Sequence, residues 1–131
     1  MSKPVRPADI TTVEGYKVNV SAIFDSGSFY TIVREDCLPK DALILRYKTA
    51  EYFGTAQKSG KLLSIGSIRL IVHVEGHYIK ADAEVCPELS AELIIGAREM
   101  QSWDITIQND NGKTTVHIGH DMNDPDIQTV L

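Results

Sequence analysis

The chain is poor in cysteine and has no long hydrophobic run. Cys37 and Cys86 are the only cysteines among 131 residues, too few for a disulfide framework, and neither lies in a metal-binding spacing such as Cys-x-x-Cys. We therefore expect reduced, structural thiols and a reducing, cytoplasmic compartment. No stretch approaches eighteen apolar residues, and the first residues lack the apolar centre of a signal peptide. We expect neither secretion by a signal peptide nor a role at a membrane.

Positive charge is also scarce. Thirteen Lys and Arg residues against eighteen Asp and Glu give a net charge of −5, and no Lys/Arg cluster of the kind that binds phosphates is visible. The glycine patterns of phosphate-binding and dinucleotide-binding loops are absent as well. The sequence therefore predicts no nucleic-acid partner and no cofactor.

The histidines do not suggest a metal site. They lack the His-x-x-x-His spacing of a helical metal site and lie in segments with strand or turn character: His73, His77, His117 and His120. The string Gly119-His120-Asp121 could suggest a His–Asp pair serving a serine nucleophile. Ser26 and Ser28, however, lack the Gly-x-Ser-x-Gly context that exposes such a serine.

An apolar strand running into an acid is the feature around which the chain is organised. Residues 18, 20, 22 and 24 are apolar in alternation, the pattern of a half-buried strand. Asp25 follows at the strand end, Gly27 allows a sharp turn, and Ser26 and Ser28 can hydrogen-bond neighbouring groups. On this tripeptide alone, an Asx- or Ser-type turn that closes a strand is the plainer interpretation.

A second segment far downstream has the same design. The run Ala91-Glu92-Leu93-Ile94-Ile95-Gly96 is apolar and closed by glycine, and residues 97–100 that follow have helical propensity. Together, Phe24-Asp25-Ser26-Gly27-Ser28 and Leu93-Ile94-Ile95-Gly96 resemble the retroviral-type (retropepsin-like) aspartic protease family. Residues 31–33 and 74–77 match in the same order, so that the resemblance covers about residues 14 to 107.

The resemblance implies a fold. It predicts an all-β, retropepsin-like closed barrel of short antiparallel strands in a single-domain protomer, with one short helix after Gly96. We assign residues 1–9 to an extended N-terminal arm, 10–119 to the protease domain and 120–131 to an acidic, loosely held tail or interface segment. Two long hairpins are expected over residues 68–85 and 105–118, the first with the alternating residues 68, 70, 72, 74, 79, 81, 83 and 85 facing inward. Residues 42–45 suit a strand, whereas residues 46–52 show no clean period.

The resemblance also assigns the site. By this resemblance Asp25 would be the catalytic acid, and because we find no second Asp-Ser/Thr-Gly string, two identical chains would each supply one. Ser26 would join the two loops across the interface and Gly27 would leave room for the substrate backbone. Ser28 could donate a hydrogen bond to the charged acid. Phe29 and Ile95 are expected in a substrate pocket.

One departure from the viral pattern concerns an ion pair. Viral enzymes often carry an acid and an arginine at the positions of Phe29 and Ala97, so here the loop must be held otherwise, for which Arg98 is a candidate.

Residues 53–61 combine two glycines with small polar residues and predict a mobile hairpin tip. Without the resemblance this stretch is an ordinary surface hairpin. In the family the interval carries the flap over bound peptide, which here would be formed by Phe53, Gly54, Thr55, Ala56 and Gln57.

The predicted function is that of an aspartic endopeptidase, active as a homodimer on a peptide or protein substrate. The alternative is a non-catalytic retropepsin-like dimer that binds peptide or a partner protein without cleaving it. Turnover of a mixed peptide library separates the two.

Overall fold

Nine β-strands and one short α-helix form within residues 3–53 and 62–125, the part of the chain that this computed structural model describes. In chain order they are β1 (Val5–Thr12), β2 (Lys17–Phe24), β3 (Thr31–Arg34), β4 (Leu45–Phe53), β5 (Leu62–Val74), β6 (His77–Cys86), β7 (Leu93–Ile95), α1 (Ala97–Ser102), β8 (Ile105–Asp110) and β9 (Lys113–Ile118). A short 3-10 turn, Glu35–Cys37, follows β3.

Six of the strands close into a barrel in the order β1-β2-β7-β3-β6-β5. The ring closes because β1 pairs with β2 along one edge and with β5 along the other. Strand β4 pairs with the first half of β5 and extends the sheet outside the ring. The predicted all-β, single-domain closed barrel with a short helix after Gly96 is confirmed.

The prediction that the strands are antiparallel is wrong for two of the pairs. Strand β7 runs parallel to β2, and β3 runs parallel to β6. Because β7 is inserted between β2 and β3, it lies beside the strand that ends at Asp25. This insertion is what brings the two motifs of the sequence together.

The alternating residues of the long hairpin fill the barrel, as predicted. Its inward side chains are all buried in one core cluster: Ile68, Leu70, Val72, Val74, Ile79, Ala81, Ala83 and Val85. The two-residue turns of both predicted hairpins have positive φ at both positions, Glu75-Gly76 and Asn111-Gly112. Such turns match the twist of the paired strands.

Strand β1 begins at Val5, inside the segment predicted as an extended arm. This segment contains Pro7, whose missing N–H does not allow ladder pairing on both sides. Pairing with β2 begins at Val5, however, whereas pairing with β5 begins only at Ala8. Pro7 therefore has a strand on one side only, and an edge position tolerates the missing N–H.

Strand β4 covers residues whose pattern predicted no structure. Its register with β5 shifts between Arg46 and Glu51, and such an irregularity destroys the two-residue period. Of residues 42–45, which suited a strand, only Leu45 belongs to β4. Ala42 and Ile44 pack against the core, whereas Leu43 and Leu45 are each 72% exposed.

Strands β8 and β9 form a separate two-stranded sheet whose buried side chains complete the core: Ile105, Val116 and Ile118. The described part of the predicted tail is held rather than loose. The Met122 N–H donates to Tyr78 O at 2.8 Å, and the Asp121 carboxylate lies 3.0 Å from His77 Nδ1. Across the described residues, no helix has the length and apolar character needed to cross a membrane.

Candidate active site

Asp25 lies at the point where β2 ends and is only 7% exposed. Its backbone N–H donates to Ile95 O at 3.0 Å, which continues the pairing of Phe24 with Ile95 between β2 and β7. The backbone of Asp25 is therefore fixed by the neighbouring strand of the barrel. Its carboxylate projects from a rigid position, as a reacting group must.

The carboxylate closes the turn that follows it. The Gly27 N–H donates to Asp25 Oδ1 at 2.9 Å, and the Ser28 N–H donates to Asp25 O at 3.1 Å. The first of these is the contact of an Asx turn, the plainer interpretation of the sequence. A structural turn and a reactive acid are compatible here, because the turn uses one of the two carboxylate oxygens.

The second carboxylate oxygen contacts a lysine from the start of the chain. Lys3 Nζ lies 3.1 Å from Asp25 Oδ2. The lysine side chain is 52% exposed, whereas that of Asp25 is 9% exposed. No pattern in the sequence pointed to Lys3.

Ser28 has a different partner from the one predicted. It is buried, and its hydroxyl donates to Tyr30 O at 2.8 Å rather than to the Asp25 carboxylate. Ser28 thus supports the turn that follows the acid by closing its far end. Ser26 and Gly27 are exposed, and the predicted bonds of Ser26 across a dimer interface stay a prediction.

The turn after Asp25 is tied to the start of the helix. Two backbone hydrogen bonds make this connection, from Ala97 N–H to Ser28 O (2.7 Å) and from Arg98 N–H to Phe29 O (3.0 Å). Gly96 lies between these elements because no side chain fits there: a Cβ would come within 2.3 Å of Tyr30 O. The two sequence motifs are thus in direct backbone contact.

A buried polar network lies behind this junction. Thr31, at the start of β3, accepts a hydrogen bond from Gly96 N–H at 3.1 Å and donates its own hydroxyl proton to Glu99 Oε1 at 2.6 Å. Thr31 is fully buried and Glu99 is 5% exposed. The other oxygen, Glu99 Oε2, accepts from Asp82 N–H and lies 3.4 Å from Arg98 Nη2.

Sequence reasoning missed this network. The local sequence pattern places Thr31 in a strand and Glu99 in a helix, and neither placement predicts that the Glu99 carboxylate is buried. A glutamate within the first turn of a helix beside an apolar strand was the only signal available.

Arg98 takes part in holding the loop, although not through an acid at position 29. Its guanidinium lies 5.5 Å from the centre of the Tyr30 ring, a cation–π contact, and donates to Asp82 O at 2.7 Å. It therefore connects the turn to β6.

The predicted pocket residues differ in their surroundings. Phe29 is 53% exposed and packs edge-on against Tyr30, with ring centroids 5.1 Å apart. The side chain of Ile95 is instead fully buried in the barrel core, so what this residue offers the site is the carbonyl that binds Asp25 N–H.

The flap prediction falls largely outside the described residues. The backbone of Phe53 ends β4, where it is paired with Leu62, whereas Gly54, Thr55, Ala56 and Gln57 are not described. In residues 3–53 and 62–125, no group of three or more His, Cys, Asp or Glu side chains is arranged to hold a metal ion.

The barrel with an acid at the end of β2 defines a retropepsin-like fold. Neither protein-family models nor curated proteins give a match. Among solved structures, the chain is similar to the retroviral protease-like domain of Ddi1 from Leishmania major, with a TM-score of 0.58 and 23% sequence identity, over 86% of this chain and 87% of that one. A likeness at this identity establishes the fold, and function must be argued from the site.

Proposed function

We propose that the chain is an aspartic endopeptidase that is active as a homodimer. The observation that carries the proposal is the state of Asp25, a largely buried carboxylate held by backbone contacts at the end of a barrel strand and bordered by an exposed turn. The retropepsin-like fold supports the same function. In the described residues we find no second acid of this kind, so the proposal needs two chains.

The two Asp25 carboxylates would act as a pair. Two carboxylates about 3 Å apart cannot both ionise at low cost, so they share one proton. The ionised acid removes a proton from a water molecule that attacks the peptide carbonyl carbon, while the protonated acid donates its proton to the carbonyl oxygen. In the collapse of the resulting diol, a proton passes to the leaving nitrogen and the C–N bond breaks.

The exposed residues around Asp25 would receive the substrate. An extended peptide could pair with the backbone of the exposed turn residues as an added strand. Phe29, with half of its surface exposed, offers an apolar contact to a substrate side chain.

Substitution of the acid tests the mechanism. Asp25→Asn keeps the shape and the Gly27 contact but cannot share the proton, so cleavage of a mixed peptide library between acidic and neutral pH should fall by at least about 10²-fold, the lower bound for general acid–base catalysis. The matched control is Asp110→Asn, an exposed acid ahead of the Asn111-Gly112 turn, which should cleave like the unmodified chain.

Cleavage by Asp25→Asn at the unmodified rate would exclude an aspartic mechanism. If neither the unmodified chain nor any variant cleaves the library, but a titration shows that the unmodified chain binds an extended peptide, the non-catalytic dimer is favoured instead.

Dependence on association is a second test. Because each chain brings one acid, specific activity should fall when the protein is diluted below the dimer dissociation constant measured by sedimentation. Activity that stays constant per chain down to concentrations at which sedimentation shows only monomer would contradict the homodimer.

A further inference from the structure

We propose that Lys3 is a further residue of the active site. In the single chain its ammonium group binds the Asp25 carboxylate, and this contact must break when the Asp25 of a second copy approaches the same carboxylate. The inference rests on the proposed function. It concerns a residue outside both sequence motifs, and it makes the start of the chain part of the site.

The backbone of β1 brings Lys3 to this position. Strands β1 and β2 pair in the register Val5↔Ile23, and the Phe24 N–H donates to Pro4 O at 3.0 Å, one step further along the same ladder. Continuing this register sets Lys3 opposite Asp25. Pro4, which joins Lys3 to the start of β1, is buried. The contact therefore follows from strand pairing and not only from the reach of a long side chain.

The oxygen that Lys3 occupies is the one left for chemistry. Asp25 Oδ1 accepts the Gly27 N–H inside the turn, whereas Oδ2 lies 3.1 Å from Lys3 Nζ. The Lys3 side chain is 52% exposed, so the ammonium group approaches Asp25 from the solvent side. A second carboxylate has to approach an oxygen of Asp25 to within about 3 Å to share a proton with it.

The lysine and the second acid therefore compete. One oxygen cannot hold the ammonium and the shared proton of a dyad in the same place. Assembly of the active dimer must break the Lys3–Asp25 contact in each chain. Lys3 thus opposes activity, by an amount set by the strength of a partly exposed ion pair.

Removing the ammonium tests this role. Lys3→Met keeps the length of the side chain. At a fixed protein concentration below the dimer dissociation constant, the apparent kcat/KM for a peptide substrate should rise about four- to twenty-fivefold, because two partly exposed ion pairs, each worth about two- to fivefold, are broken in each dimer that forms. The matched control is Lys17→Met, since Lys17 is also exposed, lies at the other end of β2 and is 4.0 Å from the carboxylate of Asp9. It should leave kcat/KM unchanged.

Salt gives a second readout on the same proteins. Because ions screen exposed charges, raising the salt from about 0.05 M to about 0.5 M should increase cleavage by the unmodified chain and by Lys17→Met more than cleavage by Lys3→Met. A Lys3→Met protein that cleaves no faster than Lys17→Met, or that keeps the full salt response, overturns the inference.

A double-mutant cycle measures the contact without relying on activity. At one fixed protein concentration at which the chain is monomeric, Lys3→Met and Asp25→Asn, alone and combined, should be coupled by about two- to fivefold in the unfolding equilibrium constant, whereas Lys17→Met and Asp25→Asn should not be coupled. Asp25-dependent cleavage without coupling overturns the inference and leaves the proposed function intact. Coupling without cleavage by any variant overturns the proposed function, and the active-site role of Lys3 with it.

Discussion

Thr31 is the residue on which the two halves of the candidate site converge. Its hydroxyl accepts from the end of β7 and donates to a carboxylate of α1, while its backbone begins β3 directly after the turn. All three elements therefore depend on one buried oxygen atom. A buried network of this kind is stabilising only while every member keeps its partner.

Thr31→Val tests the network. Valine has the same shape, but it leaves the Gly96 N–H without its acceptor and Glu99 Oε1 without its donor inside the protein, so the free energy of unfolding should fall by about 2–4 kcal/mol. Urea unfolding measures the loss. Thr31→Ser keeps the hydroxyl and should lose about 1 kcal/mol.

The control is Thr115→Val on the exposed face of β9, which should change stability by less than about 0.5 kcal/mol. Removing both partners gives a sharper comparison: Thr31→Val combined with Glu99→Leu should cost less than the sum of the two single changes. Additive losses would mean that the 2.6 Å contact contributes no coupling.

Single residues were predictable from the sequence only where a local pattern marked them. Asp25 could be predicted because a period-2 strand runs into it. The contacts of Glu99 and Lys3 could not be predicted. Glu99 bonds a residue 68 positions away and Lys3 one 22 positions away, and both contacts depend on which strands become neighbours. The hydrogen-bond partner predicted for Ser28 was wrong, since a hydroxyl can turn to a carbonyl as easily as to a carboxylate.

At the level of elements, the close approach of β7 to the turn after Asp25 is the contact that brings the two motifs together. The backbone of Gly96 lies so near the turn that a Cβ would be 2.3 Å from Tyr30 O and 2.7 Å from Ser28 O. These are backbone atoms, which cannot swing aside as the end of a flexible side chain can.

Gly96→Ala should therefore destabilise the protein by about 3 kcal/mol, at the upper end of the range for overpacking, and should also displace the turn that carries Asp25. Urea unfolding gives the first effect and peptide cleavage the second. Gly76→Ala is the control: its Cβ would meet nothing within 4 Å, and only the positive φ of 75° would cost about 1 kcal/mol. Equal losses for the two variants would rule out crowding at Gly96.

The strands with intact alternation were predictable and those with a disturbed pattern were not. Strands β5 and β6 alternate over their whole pairing, so that the sequence indicated both the hairpin and its inward face. In β4 the register shift removes the period, and in β1 a proline concealed a strand that has one neighbour at that point. The insertion of β7 between β2 and β3 has no local signal, because it follows from the closure of the whole barrel.

At the level of the whole molecule, the buried thiol of Cys86 and the half-buried phenol of Tyr47 contribute to the response to alkaline pH. Burial, and then the charge of Glu84, raises the pKa of Cys86 from 9.0 to about 12. Burial and a hydrogen bond to Glu84 raise the pKa of Tyr47 from 10.0 to about 12. Since the folded protein holds both protons more tightly than the unfolded chain does, their contribution to stability is complete below about pH 9 and is lost as the pH rises towards 12.

The free energy of unfolding should accordingly fall between pH 9 and pH 12, by up to about 1.4 kcal/mol for each unit by which a pKa is raised. Tyr47→Phe should flatten the part of this fall that lies above pH 10, because phenylalanine has no proton to lose. Tyr52→Phe, at a tyrosine that is 70% exposed, should reproduce the unmodified curve. Parallel curves for Tyr47→Phe and the unmodified chain would show that the tyrosine titrates alike in both states.

The closure of the barrel by β1 has a consequence for how the molecule forms. The seam between β1 and β5 joins residues 8–12 to residues 70–74. Strand β1 is therefore synthesised well before the strand with which it closes the ring. Contacts of such sequence separation slow folding, because the intervening loop must lose its freedom before the pairing gains anything. On the ribosome, the seam between β1 and β5 cannot form fully until Val74 has emerged from the exit tunnel, and until then one edge of β1 is open to pairing with a neighbouring nascent chain.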